Sequence, residues 1–341
     1  MNLVLLAVML VGIWGIRPRR AEDPLSREQT TAVNGFFVLL VFLRHTVDYI
    51  DFGAWDGIFK TVNSRLGQLI VVPFLFYSGY GIMRSIAAKG SAYVSALPKN
   101  RLFKVWYHFA AAVALYALLG LLLHKGYSLK RVLLSFTGWD SIGNSNWYIF
   151  YTLVVYLLTW IAFRLFRSNH HAALALLTAL AVGYILALRP IKDDWWYNTA
   201  LVYPAGAACG LYREKLDNLL KSKVWYRILA LVICGGGFLV CYKLRKNIWA
   251  YEAMCVFFAL TVVAVTTLVK VGNPALAWLG KYTFEIYILQ RLPMILLQGI
   301  FANQYLYLAV SFAATLALAA AFHWLLSRTD ALLLRKLEVK P

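Results

Sequence analysis

The sequence predicts an all-α fold, a polytopic helical bundle integral to a membrane. Of the 341 residues, 61% are hydrophobic and 14% charged, a balance far from that of a water-soluble domain. Mean hydropathy is +0.65. Apolar stretches of about 16 to 25 residues recur along the whole chain, and about 20 helical residues at 1.5 Å rise cross the roughly 30 Å hydrocarbon core of a bilayer.

About eleven spans are expected on that basis, near residues 2–16, 32–50, 67–86, 102–123, 146–166, 171–189, 196–212, 224–242, 249–269, 275–299 and 304–326. The first is too short to be comfortable as a span. It differs from a secretory signal because Arg17, Arg19 and Arg20 follow the apolar stretch instead of preceding it. With that stretch's amino terminus outside, the basic loops fall on the cytoplasmic side: Arg84, Lys89, Lys99, Arg101 and Lys104; Arg164 and Arg167; Arg213, Lys215, Lys221, Lys223 and Arg227; and the tail's Arg328, Arg335, Lys336 and Lys340. The net charge of +19 therefore reads as a topology signal, and no nucleic-acid partner is expected. The expected division is 1–28 for an N-terminal helix and basic loop, 29–326 for the membrane domain, and 327–341 for a cytoplasmic tail.

The four cysteines, Cys209, Cys234, Cys241 and Cys255, stand singly in or at the ends of helices with no CxxC spacing, so packing roles and no metal site are expected. No Walker-type loop, low-complexity tract or separate soluble domain is present in the sequence. The chemistry must lie in the helical bundle.

One histidine stands out. His45, with Arg44 before it and Asp48 three residues on, lies in the apolar run "NGFFVLLVFLRHTVDYI", and ionisable groups at such depth are functional candidates by default. About fourteen residues from a cytoplasmic start near 31, it is expected roughly 20 Å deep. Residues three apart share a helix face, so the Asp48 carboxylate is expected to accept from one imidazole nitrogen and raise the basicity of the other. The alternative is that Asp48 marks the helix end while His45 bonds to backbone.

In "PFLFYSGYGIMRS", Ser78, Gly79, Tyr80 and Gly81 interrupt an apolar run that Arg84 closes. Small residues allow close helix approach, and Ser78 and Tyr80 bring hydroxyls into the bundle; alone, this is ordinary packing. Arg101 and Lys104, three apart on one face, suit a phosphate, though the positive-inside rule accounts for them equally. Glu285, expected about ten residues into its helix, needs a cation from another helix, either as a buried ion pair or as part of a chamber lining, since Arg291 is too far round the same helix. His108 and His323 are expected near hydrated helix ends. The outer loops "GWDSIGNSNWY" and "RPIKDDWWYN" combine aromatics, carboxylates and amides, including Asn146, Trp147 and Tyr148. Such groups suit a sugar, or an aromatic belt at the membrane surface.

Together these segments resemble the membrane-bound acyltransferase family 3, whose members move acyl groups from coenzyme A to extracytoplasmic acceptors, often cell-envelope polysaccharides. "TTAVNGFFVLLVFLRH" looks like the family's opening helix and its essential histidine, which maps to His45. "FLFYSGYG", "KNRLFKVWYHF", "NSNWYIFYTLVVYL" and "LGKYTFEIYILQ" resemble the following family segments in order. The likeness runs from about Gln29 to about Leu326. Two positions depart from it: Asn34 stands where the family usually has Arg or Lys, and Gln290 where the late motif often ends in His. The first span is additional to the usual ten helices.

The resemblance implies an acyl-coenzyme A co-substrate, with acetyl the expected group, and no tightly bound cofactor. Arg84, Lys99, Arg101 and Lys104 would hold the donor's phosphates. His45 would act as general base or transient acyl carrier, with Asp48 as its orienter and Tyr80 or Ser78 donating to the oxyanion. A cell-envelope polysaccharide or glycolipid would be the acceptor, in the cytoplasmic membrane, met by Asn146, Trp147, Tyr148 and Glu285. The rivals are a secondary transporter or flippase, using the same intramembrane acids for proton relay, and a catalytically silent scaffold of the same fold.

Overall fold

A computed structural model describes residues 1–19 and 23–335. Arg20, Lys336 and Lys340 lie outside the described residues, as do the side chains of Lys221 and Arg335. The described chain is almost wholly helical: α1 (Asn2–Ile13), α2 (Arg27–Thr46), α3 (Gly57–Leu66), α4 (Val72–Leu97), α5 (Lys104–Leu122), α6 (Leu129–Ser135), α7 (Trp147–Leu165), α8 (His170–Leu188), α9 (Val202–Leu211), α10 (Arg213–Ser222), α11 (Val224–Lys243), α12 (Ile248–Leu268), α13 (Pro274–Lys281), α14 (Thr283–Leu289), α15 (Arg291–Leu297) and α16 (Gln304–Arg335). The only strands among the described residues, β1 (Arg17–Pro18) and β2 (Val269–Lys270), pair antiparallel with Arg17 opposite Lys270.

Among the described residues six helical stretches are long and apolar enough to cross a membrane: the run Ala54–Leu122, which holds α3 to α5 and is kinked where Gly67 and Gly90 leave helical geometry, and α7, α8, α11, α12 and α16. The other expected spans are helical but fall short in length or composition. Three charged residues, Arg27, Glu28 and Arg44, sit at the ends of α2. With 12 and 10 residues respectively, α1 and α9 are short. The expected span 275–299 is three helices, α13 to α15.

That last break has a local cause. Proline has no amide hydrogen, so Pro293 cannot bond back to the Leu289 carbonyl. A new helix instead begins at Arg291, with Pro293 in its first turn, where the missing donor costs nothing. Tyr116 donates to the neighbouring Ile288 carbonyl at 3.1 Å. A similar effect at Pro98 converts Pro98–Phe103 into a π-helical turn between α4 and α5. Both irregular turns carry polar residues that matter below.

Glycines set the closest crossings. A Cβ on Gly35 would lie 2.0 Å from the Leu276 carbonyl oxygen, and one on Gly280 would overlap the Thr31 carbonyl, so α13 packs against the start of α2 with backbones in contact, and the Gln29–Val271 hydrogen bonds place its N-terminal end beside that of α2. Gly206 meets Phe76 and Gly210 meets Tyr80 in the same way, clamping α9 parallel to α4. The N-terminus of α9 is closed by an acid that no motif or spacing singles out. Glu252 on α12, fully buried, accepts from the amides of Ala200 (3.0 Å) and Leu201 (2.9 Å), donors that a helix start leaves open.

The core runs through α2, α4, α7, α9 and α14. By contrast, α11 buries no residue and packs on α12 at the periphery, as suits a lipid-facing helix. Met1 and Tyr305 lie together at one end of the bundle. At the other end Asn273 donates to the Val11 and Trp14 carbonyls and closes α1.

Candidate active site

Ser26 caps α2 by accepting from the Gln29 amide, and the helix then runs the full depth of the core to end at Thr46. His45 is therefore in its last turn, not mid-helix. That ending overturns the expected contact with Asp48. Beyond Val47 the chain turns, the Asp48 amide bonds the His45 carbonyl at 3.4 Å, and the i, i+3 relation of a helix face no longer holds. The Asp48 carboxylate instead accepts from Arg291 Nη2 at 3.2 Å.

His45 opens on a cavity of about 540 Å³. Arg44 and Asp48 line it beside the histidine. Gly67, Gln68 and Val71 enter from the 3₁₀ turn before α4, Trp147 from the start of α7, and Asp194 and Trp195 from the loop between α8 and α9. Tyr251, Tyr287 and Arg291 complete the wall from α12, α14 and α15. Gln68 donates to the Trp195 carbonyl at 2.6 Å and joins two of these segments. Four aromatic rings, two carboxylates, an amide and two guanidinium groups thus converge on one imidazole. The volume falls in the range of small-ligand sites.

Arg291 is the residue that sequence reasoning passed over. The break at Pro293 turns it toward α2, where it bonds Tyr49 Oη at 3.1 Å as well as Asp48. It and Glu285 belong to different helices, α15 and α14. The signal available in the sequence was the proline two residues later.

From this cavity tyrosines continue into the bundle. The rings of His45 and Tyr287 are 6.1 Å apart, and those of Tyr287 and Tyr148 5.0 Å. Tyr156 follows, its hydroxyl 2.8 Å from Ser78 Oγ and its ring 6.1 Å from that of Tyr203. Arg101, on the π-helical turn, faces Tyr156 and Tyr203 and donates to Tyr93 at 3.1 Å. Tyr148 and Tyr156 stand about two turns apart on α7, so the tyrosines form two groups, one at the His45 cavity and one with Ser78 and Arg101.

The remaining expected site residues are dispersed. Tyr80 accepts from Arg213 at 2.9 Å, and neither it nor Ser78 lines the cavity. Arg84 lies midway along α4, and Lys99 and Arg101 lie on the π-helical turn after it, whereas Lys104 is held by Asp330 at 2.7 Å. The same Asp330 engages His108 at 2.9 Å. Asn146 donates to the Gly138 carbonyl and shapes the loop before α7. Glu285 is in the first turn of α14, because the expected long helix is interrupted at Tyr282, between α13 and α14. Its partner is His323 of α16, at 2.7 Å. In the loop between α8 and α9, Lys192 is held between the faces of Trp139 and Trp196, 4.0 Å from each ring centroid. Desolvation there pushes its ammonium below the usual lysine range.

The model of acyltransferase family 3, described as an acyltransferase domain, matches residues 32–327. The chain belongs to this family. It is a multi-pass membrane acyltransferase, as the order of segments around His45 implied. No curated protein and no solved structure matches the chain. The acyltransferase match begins within α2, so α1 lies outside it. Of the acyltransferase's two departures from the family pattern, Asn34 lies in α2 with its side-chain oxygen buried and unpartnered, and Gln290 sits at the break between α14 and α15.

Proposed function

We propose that this acyltransferase takes an acyl group, acetyl foremost, from acyl-coenzyme A and transfers it to a hydroxyl of a cell-envelope polysaccharide or glycolipid, with His45 as general base. The observation that carries the proposal is the convergence of His45, Arg291, Trp147, Trp195, Asp194 and Gln68 on one cavity. Aromatic faces with carboxylates and amides are what a sugar ring requires for stacking and for bidentate hydrogen bonds.

The donor is anionic, and the cations Arg101 and Lys99 on the turn after α4, with Arg84 midway along that helix, are suited to its phosphates. Its pantetheine arm is thin and carries amides. The two tyrosine groups offer hydroxyl partners along that arm, and Tyr203 and Tyr156, 0% and 7% exposed, would have to swing aside for it to pass. The thioester would then reach Tyr287 and His45. Neutral imidazole removes the acceptor's hydroxyl proton as the oxygen attacks the thioester carbon. Arg291 faces the negative charge that develops on the carbonyl oxygen, and the imidazolium returns the proton to the departing thiolate. In the alternative course His45 itself carries the acyl group between the two substrates. The cytoplasmic membrane, with the amino terminus outside, is the setting this requires.

Membranes incubated with radiolabelled acetyl-coenzyme A test the proposal. Label in an envelope polymer, lost in His45→Ala at unchanged protein level, is expected. Turnover retained in that variant removes the histidine from the mechanism, and ion-coupled solute uptake without transfer supports a transporter instead.

A further inference from the structure

Two buried polar atoms at the site have no hydrogen-bond partner: Nδ1 of His45 and Oε1 of Gln290. Their side chains are neighbours, with the Gln290 amide in reach of the imidazole. Gln290 is fully buried, so no bulk water competes for its oxygen. The orientation of its amide is also fixed. Nε2 lies 3.2 Å from the Tyr287 carbonyl, a group that only accepts, so the nitrogen must face it and the oxygen must face away. What remains is an acceptor that needs a donor, beside a ring nitrogen that becomes a donor only when protonated.

Nothing else in the site takes this role. Asp48 is drawn to Arg291. The charged groups that face the ring, Arg44 from α2 and Arg291 from α15, are donors only, and across the cavity Asp194 and Tyr251 come from the loop between α8 and α9 and from α12. Gln290 owes its place to the break before Pro293, which ends α14 at Leu289 and leaves the glutamine as the hinge between two helices.

We propose that Gln290 is the positioning residue of His45: its Oε1 accepts from Nδ1–H, holds the imidazole in the Nδ1-protonated tautomer and leaves the Nε2 lone pair free toward the cavity. This inference rests on the reading of His45 as general base, and gives it an uncharged amide orienter in place of a carboxylate. A neutral partner fixes the tautomer without adding charge to an apolar wall.

Nitrogen NMR of the full chain in detergent micelles, labelled with ¹⁵N-histidine and assigned by loss of the His45 signals in His45→Ala, reads the tautomer directly. The expected result is Nδ1–H in the native protein, giving way to Nε2–H or a mixture in Gln290→Met. In acyl transfer the same variant should lose kcat by about ten- to a hundredfold, part of the 10²–10⁴ that a general base supplies, with the donor KM unchanged. Gln290→Glu keeps the acceptor and adds a charge that favours imidazolium, so it should restore the tautomer while the acidic limb of its pH profile moves to higher pH. An Nε2–H tautomer in the native protein, or an unchanged tautomer and pH profile in both variants, overturns the proposal. If His45→Ala keeps its turnover, the general-base reading fails, while the spectra still decide whether the amide holds the ring.

Discussion

Arg291→Met separates catalysis from stability at this site. The side chain makes two hydrogen bonds, to Asp48 at 3.2 Å and to Tyr49 at 3.1 Å, and its guanidinium lies 5.6 Å from the Tyr49 ring centroid. Asp48 is 51% exposed, so water screens that pair and it contributes about 0.2–1 kcal/mol. A hydrogen bond from a charged donor to Tyr49 adds about 1.5–3 kcal/mol. The expected loss of stability is therefore about 2–4 kcal/mol at most, some of it offset by the apolar methionine. As an electrostatic partner of the oxyanion, the same group contributes about 2.7–4 kcal/mol to the transition state, or 10²–10³ in rate. The assay is kcat for acyl transfer from labelled acetyl-coenzyme A at saturating donor, normalised to the monodisperse folded fraction in detergent, beside a thermal melt. We expect kcat per folded molecule to fall by about a hundredfold or more, with Arg291→Lys intermediate because it keeps the charge without the planar fork. A kcat within about threefold of native, or a loss that tracks only the folded fraction, would refute a catalytic role for Arg291.

Three further outcomes follow from the same geometry. Arg101→Ala should raise the apparent KM for the acyl donor while kcat at saturation changes little, and an unchanged donor dependence would move the phosphate site elsewhere. Glu252→Ala strands two buried amides at the start of α9 and should lower stability by about 2–6 kcal/mol, at about 1–3 kcal/mol for each unsatisfied donor. A melting temperature like the native one would show that another group takes them up. Gly35→Ala places a methyl 2.0 Å from the Leu276 carbonyl oxygen and should destabilise the α2–α13 contact by about 1–3 kcal/mol or more; unaltered thermal unfolding would mean that the two helices separate freely.

Much of the molecule is legible in its residues because hydrophobicity is a one-dimensional property in a bilayer. An apolar stretch of sufficient length must be helical, since lipid offers no partner for a backbone amide. The helices and the importance of His45 follow from that constraint together with the order of the segments. Sequence spacing, however, describes neighbours only within an unbroken helix. Asp48 lies three residues from His45, yet the helix ends between them, and its carboxylate turns to a cation on another element. Glu285 shows the same effect: a break at Tyr282 interrupts its expected helix, and its partner is His323 on another element.

What the sequence by itself determined is the fold class, the family and the histidine proposed for the chemistry. Only the tertiary structure decided its surroundings: Arg291 and Gln290 near it, tyrosines in place of an isolated Ser78 and Tyr80, and Trp147 and Trp195 on the cavity wall. The physical reason is that Pro293 and the glycine contacts of α13 bend one apolar run into three short helices. The direction of each side chain then depends on where the backbone breaks and what it packs against, and hydropathy carries no record of either.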